Sequence, residues 1–234
     1  MDLDAPPPPP RALSARQERR LIAFLDDKFL ELTRGYKMRS QPSKTPLSTL
    51  SAFLAAATPL LALILQIPPA CTLRTSYLLR LTHDVLSSVP GYPAPADSGG
   101  MTELLDWLDD LDQGWVCVLC ARAWDPMDGA ADPGPGAETA AGTATKGATQ
   151  TERTRLRGLL VSGAAALEEW LGGAPRQHPG VIIEEDEDEN PEDEGEDVAD
   201  VLARLGVQDG FDALFYRTLE ELGELSGVGV LPPT

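Results

Sequence analysis

Histidine is nearly absent from this chain, with only His83 and His178 in 234 residues, and cysteine occurs three times, at Cys71, Cys117 and Cys120. An odd and small set of cysteines does not resemble the disulfide framework of a secreted domain, so a reducing compartment, nuclear or cytoplasmic, is expected. The opening residues hold no basic stretch that leads into an apolar one, and no secretory signal is expected. Cys117-Val-Leu-Cys120 is the one spacing with a chemical name. A redox pair of this kind belongs to a βαβ setting, and a structural zinc site wants four ligands, for which only Cys71, His83 and His178 remain. Packing as small hydrophobes is the favoured reading of the pair, ahead of metal or redox chemistry, and no metal or cofactor is expected.

Positive charge is also short: 19 Lys and Arg stand against 37 Asp and Glu, for a net charge of -18. The field of such a chain repels nucleic acid, which excludes it as the first choice of partner. Aromatics make up only 6% of the residues, while Leu and Ala dominate the apolar set, a balance that favours helix over sheet. No apolar run is long enough to span a membrane. The longest candidate, residues 52–67, is interrupted by Thr58-Pro59 and ends at Gln66, and it reads as a buried helix bent or begun afresh at Pro59. Catalytic signatures are missing as well: there is no G-x-S-x-G elbow, no phosphate-cradling G-x-x-x-x-G-K-[ST] loop and no G-x-G-x-x-G. His83 beside Asp84, and His178 in a Pro/Gly linker, have no nucleophile near them in sequence. Asp106, Asp109, Asp110 and Asp112 lack the alternation and central glycine of a calcium loop and read as a solvated helix face.

What is present is helical periodicity. Ser14 with Gln17 forms a capping box ahead of a stripe of Leu21, Leu25, Phe29, Leu32 and Tyr36, with Pro42 closing the segment. Thr45-Pro46 suits the start of a second helix, apolar nearly all round and therefore expected at the centre of a bundle. A phosphate on Thr45 at that cap would be stabilised by the helix dipole. A third helix over roughly 72–88 carries Leu78, Leu81, Val85 and Val89 and stops at Pro90-Gly91. After a loop over 90–100, Thr102 caps a fourth, with Leu104, Leu108, Leu111, Trp115 and Val118 on one face and Gly114 as a point of kinking. A fifth, roughly 151–171, has Leu156, Leu160, Leu167 and Leu171 inward, Gly163 and Ala164 slimming that face, and Gly172-Gly173 at its end. Two short helices follow: 198–205, ended by Gly206, and 211–225.

The fold class expected is therefore all-α: a bundle of about five main helices plus two short C-terminal helices, with disordered insertions. Residues 1–12 form a proline-rich head, in which Pro6 to Arg11 matches a P-x-x-P-x-R ligand in too many registers to be specific. Residues 13–172 form the bundle with a Gly/Ala/Pro/Thr-rich insertion at 125–150, 173–197 an acidic tether, 198–226 a helical pair packed on the bundle, and 227–234 a tail. Every residue of 184–197 except Asn190, Pro191 and Gly195 is a carboxylate, and such a run repels itself and stays solvated.

These features point to a non-enzymatic helical scaffold or adaptor within an intracellular protein complex. The alternatives are a nuclear acidic chaperone-like binder of basic, histone-like proteins, and a small helical enzyme whose site is assembled from distant residues. The candidate binding residues are Glu184, Glu185, Asp186, Glu187, Asp188 and Glu189 as a lure for a basic partner surface, with Phe211, Leu214, Phe215 and Leu222 as an apolar anchor. Opposing that anchor is the simpler reading that the terminal helix completes the protein's own core. Nine of the nineteen cations lie between Arg11 and Lys44, so an acidic run folded over this basic stretch would screen it within one molecule.

Overall fold

The capping box read from Ser14 and Gln17 is present in the computed structural model, which describes residues 12–95, 97–125, 129–130, 147–173 and 198–224. Ser14 N–H donates to Gln17 Oε1 at 2.9 Å and Gln17 N–H returns to Ser14 Oγ at 3.4 Å, opening α1, Ala15–Lys37. Leu25, Phe29 and Leu32 of its stripe are buried, with Leu21 and Tyr36 packed at the margin. The second helix begins later than Thr45 suggests. Its N-cap is Thr49, whose hydroxyl accepts from Ala52 N–H at 3.2 Å, and α2 spans Leu50–Leu65. Thr45 is instead buried in the preceding loop, where its Oγ1 accepts from Leu47 N–H at 3.1 Å. The expected phosphate site at a helix cap is therefore not built there. Nor does α2 restart at Pro59: it runs through that residue, and the Thr58 hydroxyl donates to the Leu54 carbonyl one turn back at 2.9 Å.

Helix α3, Thr72–Ser88, follows the expected bounds and passes into a single 3-10 turn, Val89–Gly91. Helix α4, Ser98–Leu119, starts four residues ahead of Thr102, inside the stretch read as loop, because the Asp97 carboxylate accepts from Gly100 N–H at 2.7 Å. It stays helical through Gly114, which faces Leu65 of α2. A two-residue antiparallel pair, β1 Trp124–Asp125 and β2 Gly129–Ala130, follows. Helix α5, Gln150–Leu171, opens on a second capping box, Thr149 with Glu152, which sets its start at the edge of the Gly/Ala/Pro/Thr-rich stretch.

The C-terminal part holds three short helices: α6 Val198–Leu205, α7 Gln208–Asp212 and α8 Tyr216–Glu224. Gly206 takes a left-handed φ of 68° after α6, as a glycine at a helix end should. The expected single helix over 211–225 is split because Phe215 also takes a left-handed φ, 58°, which ends one helix and redirects the next.

Helix α2 touches α1, α3 and α4; α3 also packs on α5, and α8 lies along α4. One continuous core joins Phe29, Phe53, Leu61, Leu78, Leu108, Trp115, Leu160, Leu202, Phe215 and Leu222. The architecture is thus all-α, five main helices and short C-terminal ones. No helix of the described residues is long and apolar enough to cross a membrane.

Candidate docking groove

Burying α2 on three sides leaves its fourth side uncovered, although its composition is apolar there too. Ala55, Pro59 and Ala62 are exposed, and Ala56 and Leu63 half-buried. Against α1 this uncovered side forms a groove of about 500 Å3, lined by Phe24, Leu32, Leu47, Pro59, Leu60 and Leu63 among others. Phe24 is 49% exposed, an unusual state for a large aromatic and the clearest sign of an unfilled apolar surface. Residues 24, 28, 31, 32 and 35 recur at helical spacing, so one face of α1 forms the wall. At its end, Gly35 lets the Leu47 side chain seat against the α1 backbone, in space a Cβ would take. Among the described residues the only charged groups lining it, Lys28 and Glu31, pair with each other at 2.7 Å, and that partner raises the lysine pKa. The groove is suited to apolar contact with a charged rim, and none of its side chains is a nucleophile poised beside a base.

The residues singled out from the sequence lie elsewhere. Phe215 and Leu222 are buried in the protein's own core, and Phe211 and Leu214 are partly buried against it. Phe215 and Leu222 thus occupy the position that the simpler reading gave them, at the place where α8 packs on α4. Glu184, Glu185, Asp186, Glu187, Asp188 and Glu189 lie outside the described residues, as do His178 and the proline-rich head.

The four aspartates of α4 divide. Asp106 and Asp110 line a shallow depression beside Ala55 and Thr58, and partial burial, with Asp109 and Asp106 nearby, lifts the Asp110 pKa above the ordinary carboxylate value. Asp109 accepts from Arg217 at 2.5 Å. Asp112 is a correction to the solvated-face reading: it is 2% exposed, and its Oδ1 accepts from Thr218 N–H at 3.0 Å while its carbonyl accepts from the Thr218 hydroxyl at 3.1 Å.

Cys117 is buried, its sulfur 3.3–3.4 Å from the Arg122 and Ala123 carbonyls and 3.4 Å from Nη2 of the buried Arg74. Arg74 Nη1 donates to the Arg122 carbonyl at 2.6 Å, in the turn that follows α4. Cys120 meets Arg122 Nη2 at 3.3 Å, and burial pushes its thiol pKa up. His83 is exposed, with Nδ1 3.5 Å from Ser87 Oγ. Among the described residues no group of three or more His, Cys, Asp or Glu is arranged to hold a metal ion.

One further set of contacts ties the groove to the far end of α5. Trp170 Nε1 donates to the Tyr92 carbonyl at 2.8 Å, and Tyr92 OH donates to the Leu47 carbonyl at 3.0 Å. Burial pushes the Tyr92 pKa up to about 12, with Arg39 opposing and Tyr36 adding to the shift. Sequence reasoning missed the groove, although two signals pointed to it. Phe24 lies off the core stripe of α1, and α2 carries more apolar surface than three neighbours can cover. Comparison of the chain with protein-family models, with curated proteins and with solved structures finds no match.

Proposed function

We propose that the protein is a non-enzymatic helical scaffold or adaptor subunit of a nuclear or cytoplasmic assembly, and that it receives a protein partner in the groove between α1 and α2. The observation that carries this reading is the uncovered apolar wall of that groove, centred on Phe24 and Leu63, on a helix pair whose other face, including Leu25, Phe29, Phe53 and Leu61, is buried in the core. Apolar side chains supply affinity through a few buried anchors, and a charged rim such as Lys28 and Glu31 sets orientation.

The test uses the full chain as bait in its native cells, followed by reconstitution with the purified partner. Leu63→Glu places a carboxylate on the groove floor at a half-buried position, and Phe24→Ser removes the exposed ring. Both variants should lose at least tenfold in affinity for a partner that binds the wild type in fixed stoichiometry, while their melting temperatures stay close to it. A stoichiometric partner that binds both variants with unchanged affinity would overturn the groove as the docking surface.

A further inference from the structure

Resting on the reading of this groove as a protein-docking surface, we infer that its occupant in the free protein is the chain's own segment 181–189, Val-Ile-Ile followed by six carboxylates, held in the same molecule. Four observations converge on that segment.

The first is where the described chain ends and resumes. It leaves after Gly173 and returns at Val198, and these ends abut: a Cβ on Gly172 would stand 3.0 Å from Val198 Cγ2. Residues 174–197 therefore depart from and come back to one point, and 181–189 sits midway, with seven residues before it and eight after. At ~3.3 Å per extended residue, either arm reaches about 25 Å.

The second is the distance to be covered. The departure point lies three residues beyond Trp170, whose indole donates to the Tyr92 carbonyl, and the Tyr92 hydroxyl donates to the carbonyl of Leu47, a groove residue. The side chains of Trp170 and Tyr92 together bridge the departure region and the Leu47 end of the groove, a span inside the reach of the arms.

The third is chemistry. Val181, Ile182 and Ile183 are the only large aliphatic side chains in 174–197, and the groove is an apolar trough with room for side chains of that size. The fourth is charge. Lys28 and Glu31 line the groove and pair with each other, but α1 as a whole carries Arg16, Arg19, Arg20, Lys28, Arg34 and Lys37 against Glu18, Asp26, Asp27 and Glu31, and Lys44 precedes the lining residue Thr45. A helix with surplus cations on a chain of net charge -18 attracts carboxylates that immediately follow an apolar anchor. An intramolecular occupant also enjoys a high effective concentration, so a partner must displace it to dock.

The experiment titrates a fluorescent synthetic peptide of residues 179–191 into the full-length wild type and into full-length chain carrying Val181→Ser, Ile182→Ser and Ile183→Ser together. A second variant replaces 181–189 by a glycine–serine linker of equal length, so that the result does not depend on one set of substitutions. The peptide should bind both variants at least tenfold more tightly than the wild type, bind more weakly as salt is raised, and lose binding when Leu63→Glu is added. Equal affinity for wild type and variants, or no binding to any, overturns the inference while leaving groove-dependent partner binding intact. Conversely, peptide displacement without groove-dependent partner binding retires the adaptor reading alone. If the wild type sediments as a dimer that the triple substitution dissociates, the occupant is the segment of a second copy, and the same-molecule inference falls.

Discussion

Gly158 and Gly163 lie on the same helix with opposite consequences for a methyl group. A Cβ at Gly163 would stand 2.5 Å from Leu86 Cδ1 and 3.1–3.2 Å from Leu86 Cγ and Cβ, so the whole buried leucine, not only its tip, obstructs it. A Cβ at Gly158 meets nothing within 4 Å. Gly163→Ala is therefore expected to cost about 1–2 kcal/mol through overpacking of the α3–α5 seam, despite the better helix propensity of alanine. Gly158→Ala should stabilise by roughly 0.5–1 kcal/mol, because only the propensity changes. Urea unfolding of both variants checks the pair, and a stabilising Gly163→Ala would show that the seam is looser than the contacts imply. The thin face at Gly163 was legible in the sequence, since a glycine among inward leucines at helical spacing marks a place where a neighbouring helix comes close. Asp112 was not legible. An aspartate among three other aspartates carries no mark of its burial, because its partner Thr218 is more than a hundred residues away in the chain.

That aspartate matters most for the element it holds. Helix α8 begins after Phe215, whose carbonyl accepts from Leu219 N–H at 2.9 Å but whose side chain offers no cap. Asp112 supplies the missing acceptor from α4, taking the Thr218 N–H of the first turn of α8 and setting a carboxylate at its positive end. The neighbouring Arg217–Asp109 pair is half-exposed on both sides and contributes little. Asp112→Ala should thus cost about 1–3 kcal/mol by leaving a buried N–H unpaired, whereas Asp112→Asn, which keeps an acceptor oxygen, should cost less. Hydrogen exchange would report the loss as faster opening of α8 amides, and equal exchange in both variants and the wild type would refute the cap. Elements were the most readable scale of this protein. Helices α1, α3 and α5 match their periodic stripes and cap signals to within a residue or two. The starts of α2 and α4 moved because each has two competent caps, Thr45 or Thr49 and Asp97 or Thr102. Tertiary packing chose between them, burying Thr45 with Leu47 in the groove wall. The break at Phe215 was hidden because the apolar spacing continues through it, and only the packing of α7 on α6 and of α8 on α4 requires a turn there.

At the scale of the whole molecule, the apolar residues separate into those that hold the fold and those that stand uncovered on it, and composition alone does not say which is which. Phe215 lies at the turn between α7 and α8 and Phe24 on α1, both in segments of amphipathic spacing. The first is 2% exposed in the common core and the second 49% exposed at the groove. This contrast yields a prediction on the free protein, without any partner. Phe215→Asp buries an unpaired charge and removes an aromatic anchor from a residue already held at a left-handed φ of 58°, a strained setting that surrounding contacts must enforce. A loss of about 3–5 kcal/mol is expected, which for a chain of this size corresponds to a fall in melting temperature of roughly 10–15 °C. Three buried or nearly buried tryptophans report it from separate seams: Trp107 with Thr58, Trp115 with Thr82 and Trp170 with Tyr92. Their fluorescence and the far-UV signal should fall together if the C-terminal helices belong to one cooperative unit with the bundle. Leu63→Glu, measured alongside, should leave the transition nearly where it is, because a half-buried groove residue loses little on gaining a charge next to Lys28. A Phe215→Asp melt that matches the wild type would return Phe211, Leu214, Phe215 and Leu222 to the role of an external anchor. A Leu63→Glu melt as damaged as that of Phe215→Asp would instead make the groove a part of the core.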